Sequence, residues 1–199
     1  MQPATEAQLQ KDVALMRRAA LGDPAARREA VVRVLPRARR LCQSLLGSAS
    51  DSEDASQMGI VEVLRSAAHF RGECPLEHWA SRIVARTALR MAKDERRKAR
   101  MSAAFLAEGE EDAVEAEYGP SRILATECLK KLPEVQRTAL LLRCGFEYSI
   151  EEIAELTQVS RNTVKDRLLR ARESLRDLLR QNAESDQDPT IPGSARLIR

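Results

Sequence analysis

The sequence predicts an all-α protein of two small helical domains joined by a flexible acidic linker. Aromatic residues make up only 3% of its 199 residues, while Ala, Leu, Arg and Glu dominate, a composition that favours helix over sheet. Apolar residues recur at helical spacing through most of the chain. Between residues 101 and 121 that periodicity lapses: six acids and no base occur there, with Gly109 and Gly119-Pro120 as breakers, which reads as an interdomain linker.

In the N-terminal half a first helix is expected from Glu6 to Leu21, stopped by Gly22-Asp23-Pro24, which both ends a helix and restarts one. The next helical pattern, Ala25 to Leu46, contains Pro36, which should kink it or split it in two, and Gly47 ends it. Asp51 or Ser52 can cap a third helix through Ala68, with Gly59, Ile60, Val63, Leu64 and Ala67 as its core face. A loop, Phe70-Arg71-Gly72-Glu73-Cys74-Pro75, precedes a helix from near Leu76 to about Lys98. There Leu76, Ala80, Ile83, Val84, Thr87 and Met91 form the buried side.

The C-terminal domain starts near Arg122, with one helix to Leu132 and a second opened by Pro133 and running through Arg143. From Ser149 to Leu175 two short amphipathic helices meet at a tight turn. Ile150, Ile153 and Ala154 give the first its apolar side, and Val159 fills the corner. Ser160 can cap the second by accepting from an exposed backbone N–H, and Val164, Leu168, Ala171 and Leu175 repeat at helical spacing. Beyond Gln181 the chain is polar, with Pro189 and Pro192, and is expected to be a disordered tail. No internal repeat is visible.

Net charge is only +3, but its distribution is uneven, and distribution decides partners more than the sum. Residues 82–100 carry eight Lys or Arg against two acids, and residues 160–180 carry seven against three. The four cysteines, Cys42, Cys74, Cys128 and Cys144, have no paired spacing, so neither a disulfide framework nor a zinc finger is indicated. No stretch resembles a signal peptide or a membrane span, so a cytoplasmic protein without direct membrane insertion is expected. No phosphate-binding glycine loop, nucleophile elbow or paired-histidine metal helix occurs, which speaks against an enzyme. His69, Cys74 and His78, with Cys42 elsewhere, come nearest to a metal cluster, but their spacing matches no standard structural site. No cofactor is expected.

Three surfaces carry the chemistry. Arg161, Lys165, Arg167, Arg170 and Arg172 lie off the apolar seam of the last helix, the layout of a helix-turn-helix whose second helix enters the DNA major groove. An amphipathic hairpin with a solvated basic face is the alternative. Arg82, Arg86, Arg90, Lys93 and Arg97 share one stripe of the Leu76 helix; a row of cations suits the DNA backbone, though a solvated face is again possible. Phe70 and Trp79 flank the preceding loop and can hold unstacked bases or belong to the core. On the third helix, Asp54, Gln57, Met58, Val61 and Arg65 form a mixed outward strip that suits a protein partner.

In this order the segments resemble the extracytoplasmic-function group of bacterial sigma-70-family sigma factors, from about residue 12 to residue 179. Leu21-Gly22-Asp23-Pro24, Leu46-Gly47 and Asp51-x-Glu53-Asp54-x-x-Gln57 look like the start of the family's region 2. Phe70-Arg71-Gly72-Glu73 and Trp79-x-x-Arg82-Ile83-x-Ala85-Arg86 look like its promoter-melting part. Leu132-Pro133, Tyr148-Ser149-x-Glu151-Glu152-Ile153-Ala154 and Thr163-Val164-Lys165-x-Arg167-Leu168-x-Arg170-Ala171-Arg172 look like region 4.

The resemblance implies a sigma2-like domain at 6–100, a linker at 101–121, a sigma4-like domain at 122–180 and a tail at 181–199. It implies a factor that binds core RNA polymerase, recognises −10 and −35 promoter elements and assists melting. Asp51, Asp54, Gln57, Met58 and Val61 would grip the β′ clamp helices. Phe70, Arg71, Gly72, Glu73, Cys74, Leu76, Trp79, Arg82, Arg86, Arg90 and Lys93 would meet −10 DNA. Ser160, Arg161, Asn162, Thr163, Lys165, Asp166, Arg167, Leu169 and Arg170 would meet −35 DNA. Further implied partners are the β flap and an anti-sigma factor, with association to the nucleoid through polymerase. The acidic linker would thread toward the active centre, where an anionic segment can occupy a channel built for RNA.

Several positions depart from the family pattern. Arg86 stands where Asn is usual, replacing an amide by a guanidinium. Met58-Gly59-Ile60 replaces an acid, an aliphatic residue and an aromatic. Gln158 and Asn162 replace glycines; a left-handed Gln158 would cost about 1–2 kcal/mol. Asp166 replaces a common Ser and can accept from cytosine N4. A transcription activator or repressor using the same helix-turn-helix is the alternative function. It would bind duplex DNA alone, whereas a sigma factor needs core polymerase.

Overall fold

The computed structural model describes residues 5–102 and 128–185, and the regular structure among them is helical. The chain divides into two compact units. The N-terminal unit holds α1 (Glu6–Ala20), α2 (Pro24–Leu46), α3 (Ala49–Arg65), a single 3-10 turn (Ala67–His69) and α4 (Leu76–Ser102). Helices α2, α3 and α4 pack on one another, and α1 lies against α2 and the 3-10 turn.

Each of the first three helices starts on a side-chain cap. Thr5 accepts from the Gln8 N–H, and Asp23 accepts from Ala25 at 2.9 Å and Ala26 at 3.2 Å with Pro24 in the first turn, where its missing N–H costs nothing. Helix α3 begins earlier than Asp51 or Ser52 because Ser48 takes the cap, accepting from the Asp51 N–H at 3.4 Å. Ser52 is instead a buried residue within α3. That helix also stops short of Ala68, at Arg65, and the 3-10 turn carries the chain on.

Pro36 does not split α2, which runs unbroken through it. The ring is exposed, so the carbonyl it leaves without a helical partner has access to water. The opposite face buries Val34, Ala38, Leu41, Cys42 and Leu45. Burying such side chains is worth about 1.5–3 kcal/mol for a Val or Leu, enough together to outweigh the roughly 3 kcal/mol cost of an interior proline.

Helices α3 and α4 approach closely at Gly59. A Cβ added there would lie 3.0 and 3.1 Å from the two γ-methyls of Val84 and 3.2 Å from its Cα. The predicted core face of α3 is otherwise found as expected: Ile60, Val63 and Ala67 are buried and Leu64 is half-buried. On α4, Leu76, Ala80, Val84 and Thr87 are buried, and Ile83 and Met91 half-buried.

Further along the chain residues 128–130 are helical, followed by α5 (Glu134–Leu140), a π-helical turn (Leu141–Gly145), α6 (Ile150–Thr157) and α7 (Arg161–Ser185). Helices α5 and α7 pack together. The helix expected to reach Arg143 widens at Leu141. The Phe146 N–H bonds the Leu141 carbonyl at 3.2 Å, and the Tyr148 N–H bonds the Leu142 carbonyl at 3.0 Å. Arg143 Nη1 donates to the Tyr148 carbonyl at 2.8 Å. The wider turn, with Glu147 in a left-handed conformation at φ 63°, brings Leu142, Phe146 and Tyr148 all into the core.

Helix α7 continues to Ser185, so residues 181–185 are helical where a tail was expected. Residues 101 and 102, assigned to the linker, are the last of α4. The rest of the linker, the helix expected from Arg122 as far as residue 127, and residues 186–199 lie outside the described residues.

Candidate nucleic-acid interface

The turn from the 3-10 helix into α4 is built around Phe70 and Trp79, whose ring centroids lie 5.1 Å apart at 59°. Phe70 is 5% exposed and Leu76 fully buried. Of the two readings of Phe70, base contact or core, its burial fits the core, and Leu76 lies on the buried side expected of α4. Trp79 and Cys74 are half-buried, while Arg71 and Glu73 point into solvent. Gly72 has φ +74°, and a Cβ there would meet Val13 Cγ2 at 2.6 Å, so glycine is needed both for the conformation and for contact with α1. Along α4, Arg82 is half-buried and Arg86, Arg90, Lys93 and Arg97 are exposed, as the stripe predicts. Arg90, Lys93 and Arg97 make no ion pair among the described residues.

Beneath this loop lies a polar cluster that periodicity did not reveal. Asp12 of α1 is 1% exposed. It accepts from Arg33 Nη1 of α2 at 2.7 Å, from Gln8 Nε2 at 2.8 Å and from the Leu76 N–H at 3.3 Å. Arg33 also reaches Glu77 through two nitrogens, at 2.7 and 3.0 Å. Burial pushes the Asp12 carboxyl up, but the hydrogen bonds from Arg33, Gln8 and Leu76, with the Arg33 charge, outweigh it and hold the group below its ordinary value. The same contacts raise Arg33. A carboxylate at the first amide of α4 also complements the positive end of the helix dipole.

The outward strip of α3 is exposed as expected at Asp54, Gln57, Met58, Val61 and Arg65, and Asp51 is exposed as well. Met58 and Val61 are 48% and 45% exposed, apolar area set among polar groups. Beside them Glu53 accepts from Gln57 at 3.1 Å and from Arg39 of α2 at 3.0 Å, which together hold its carboxyl low.

In the helix-turn-helix, α6 begins on a reciprocal cap. The Ser149 N–H donates to Glu152 Oε2 at 2.8 Å, and the Glu152 N–H donates to Ser149 Oγ at 3.1 Å. The Ser-x-x-Glu spacing is a capping box, a signal in the sequence that the expectation for this helix did not use. Ser160 caps α7 as expected, accepting from the Thr163 N–H at 3.1 Å. Gln158, in the turn, is left-handed at φ 55°, where a side chain is strained. Val164, Leu168 and Ala171 are buried and Leu175 half-buried.

Arg161, Asn162, Lys165, Asp166, Leu169 and Arg170 of α7 are exposed, Ser160 is exposed at its cap, and Thr163 and Arg167 are half-buried. Asp166 pairs with Arg170 one turn on at 3.1 Å. Arg161 reaches Glu151 of α6 at 3.4 Å, an exposed pair of little energetic weight.

The His69, Cys74 and His78 grouping is not drawn together as a ligand set: among the described residues no cluster of three His, Cys, Asp or Glu could hold a metal ion. Cys42 is buried in α2 and its thiol is pushed up to about 12 by burial, far from the thiolate that binds metal. No helix among the described residues is long and apolar enough to cross a membrane.

Residues 30–98 match the family described as Sigma-70 region 2, and residues 122–175 match Sigma-70, region 4. The RNA polymerase sigma factor SigV of Bacillus subtilis (strain 168) is 31% identical over 140 residues, covering 69% of this chain and 81% of its own. The chain belongs to the sigma-70 family.

Within the family it falls in the extracytoplasmic-function group. The ECF RNA polymerase sigma-E factor of Escherichia coli (strain K12) is 28% identical over 183 residues, 82% of this chain and 92% of its own. In fold it is similar to the sigma factor RpoE from Bartonella quintana, solved with the anti-sigma factor NepR, at a TM-score of 0.61 and 24% identity over 77% of this chain and 96% of that one. Sigma factors of this family recognise promoters for RNA polymerase and catalyse no reaction themselves; this chain is therefore a transcription initiation factor and not an enzyme. Helix α1, with Asp12, lies before the region 2 match.

Proposed function

We propose that each of the exposed surfaces of this sigma factor serves a separate step of initiation. Asp51, Asp54, Gln57, Met58 and Val61 on α3 grip the clamp helices of core RNA polymerase. Arg71, Glu73, Cys74 and Trp79 meet the −10 element, with Phe70, Gly72 and Leu76 shaping the loop from below. Arg82, Arg86, Arg90 and Lys93 hold the melted strand by its phosphates and bases. Ser160, Arg161, Asn162, Thr163, Lys165, Asp166, Arg167, Leu169 and Arg170 read or grip the −35 element, Asp166 with Arg170 forming a donor and acceptor pair for a C·G step. The working units are 6–100 and 122–180, linked by 101–121 and followed by the tail 181–199.

What carries this reading is one chain matching both regions, each presenting a helix whose exposed face is cationic. The chain acts in the cytoplasm, joins the nucleoid when bound to polymerase, and is restrained by an anti-sigma factor that covers the α3 surface. That a similar fold has been solved with its own anti-sigma factor supports a partner of this class.

Run-off transcription with purified core polymerase on a randomised promoter library is the test. The expected result is polymerase-dependent transcripts enriched for paired −10 and −35 sequences. A chain that bound duplex DNA alone and blocked transcription would be a repressor, and the proposal would fall.

A further inference from the structure

Helix α1 meets the chain before, within and after the 70–75 loop. Before the loop, α1 packs on the 3-10 turn Ala67–His69. At its middle, Gly72 sits so close to α1 that an added Cβ would lie 2.6 Å from Val13 Cγ2 and 3.4 Å from the Leu9 carbonyl oxygen. At its end, Asp12 accepts the Leu76 N–H at 3.3 Å, and Arg33 ties Asp12 to Glu77 at 2.7 Å on either side. Between these fixed points the loop presents Arg71 and Glu73 to solvent.

We infer that α1 is the platform that sets the shape of the promoter loop, and that Asp12 is a positioning residue for −10 recognition although it never meets DNA. The inference rests on assigning the 70–75 loop to the −10 element. The first amides of a helix have no partner within it, so an unanchored α4 start would be free to fray into the loop. Asp12 closes the Leu76 amide, and its own charge is matched by Arg33, so the buried carboxylate holds the junction without an unpaired charge. Val13 then limits where Gly72 can lie. Side chains that discriminate bases must be placed to within a fraction of an ångström by groups that are themselves held, and here the holding groups come from α1 and α2.

The test uses holoenzyme made from the full chain and core polymerase, with a fork-junction probe. Its single strand carries the −10 sequence recovered from the promoter library, or a scrambled version, and the affinity ratio measures discrimination. A variant that merely unfolds in part lowers the number of competent molecules and leaves this ratio alone. Asp12→Ala is expected to lower the ratio about tenfold, equivalent to one hydrogen bond to a charged group, with core polymerase affinity unchanged. Asp12→Asn keeps an acceptor for Leu76 and should retain most of it. Val13→Ala, which removes the side chain under Gly72 but leaves the ion pairs, should lower it about threefold.

An unchanged ratio in Asp12→Ala overturns the inference, and Val13→Ala serves in its place if Asp12→Ala does not fold. A wild-type chain with no discrimination at all overturns the −10 assignment of the loop, and the inference with it.

Discussion

Replacing Asp12 by Ala removes a carboxylate that three donors converge on. Arg33 keeps Glu77, at 2.7 Å, but the Leu76 N–H loses its side-chain acceptor. Removing one partner from a buried ion pair costs about 3–5 kcal/mol. Arg33 is 26% exposed and retains a second carboxylate, so the low end applies, about 3 kcal/mol. For a domain near 100 residues that corresponds to a fall of about 12–18 °C in the melting temperature of the N-terminal unit. Urea unfolding and thermal melts of the full chain, followed by circular dichroism, measure it.

The pH dependence adds an independent check. Asp12 is held below its ordinary value of 3.8. The unfolded chain therefore binds the proton more readily, and the stability Asp12 contributes is fully present above that value. It is lost as pH falls below 3.8 and through the folded-state value. Asp12→Asn cannot titrate, so the stability gap between wild type and this variant should narrow over that range. Other low carboxylates, such as Glu53, are shared by both chains and cancel. A loss below about 1 kcal/mol in Asp12→Ala, or a gap that does not change with acid, would refute the claim that the buried pair holds α1 to α4.

Gly59→Val should destabilise the N-terminal unit by about 2 kcal/mol or more, because the new side chain enters space held by Val84 and its backbone; urea midpoints report it. Gln158→Gly relieves a left-handed side chain worth about 1–2 kcal/mol but adds roughly 0.4–1 kcal/mol of unfolded-chain entropy. The expected net gain is about 0.5–1 kcal/mol, read as a raised melting temperature of the C-terminal transition. Ser149→Ala should cost about 1 kcal/mol through the lost capping box, seen as faster amide exchange at the start of α6. Arg90→Ala with Lys93→Ala should weaken promoter binding on all sequences alike and lower the salt slope by about two phosphate contacts, measured by holoenzyme binding across a salt series.

Helix existence was legible because the apolar stripe of each segment repeats locally: Val164, Leu168 and Ala171 announce a buried seam without reference to any other part of the chain. Boundaries were less so. Several Ser and Asp residues near Gly47 could cap α3, and only the closed chain decides that Ser48 does. Pro36 was expected to kink or split the helix because its local cost is fixed, while the burial that keeps α2 unbroken depends on α3 and α4. Exposed cations on α4 and α7 were found by spacing alone, since a charged stripe opposite a core face can only point outward. Phe70 was left open between base contact and core because an aromatic residue at a loop edge looks the same in either role, and only packing shows it buried.

By itself the sequence determined the helical class, the helix-turn-helix, the cationic rows and the membership of the sigma-70 family. All of these rest on patterns within a few turns of chain or on motifs in fixed order. Only the tertiary structure decided that Asp12, Arg33 and Glu77 form one buried cluster, that Val13 lies under Gly72 and that Gly59 admits Val84. Those partners stand 21 to 64 residues apart or come from separate helices. No local period couples them. Their pairing exists only once packing has removed water and left each buried charge and amide to find its partner within the fold.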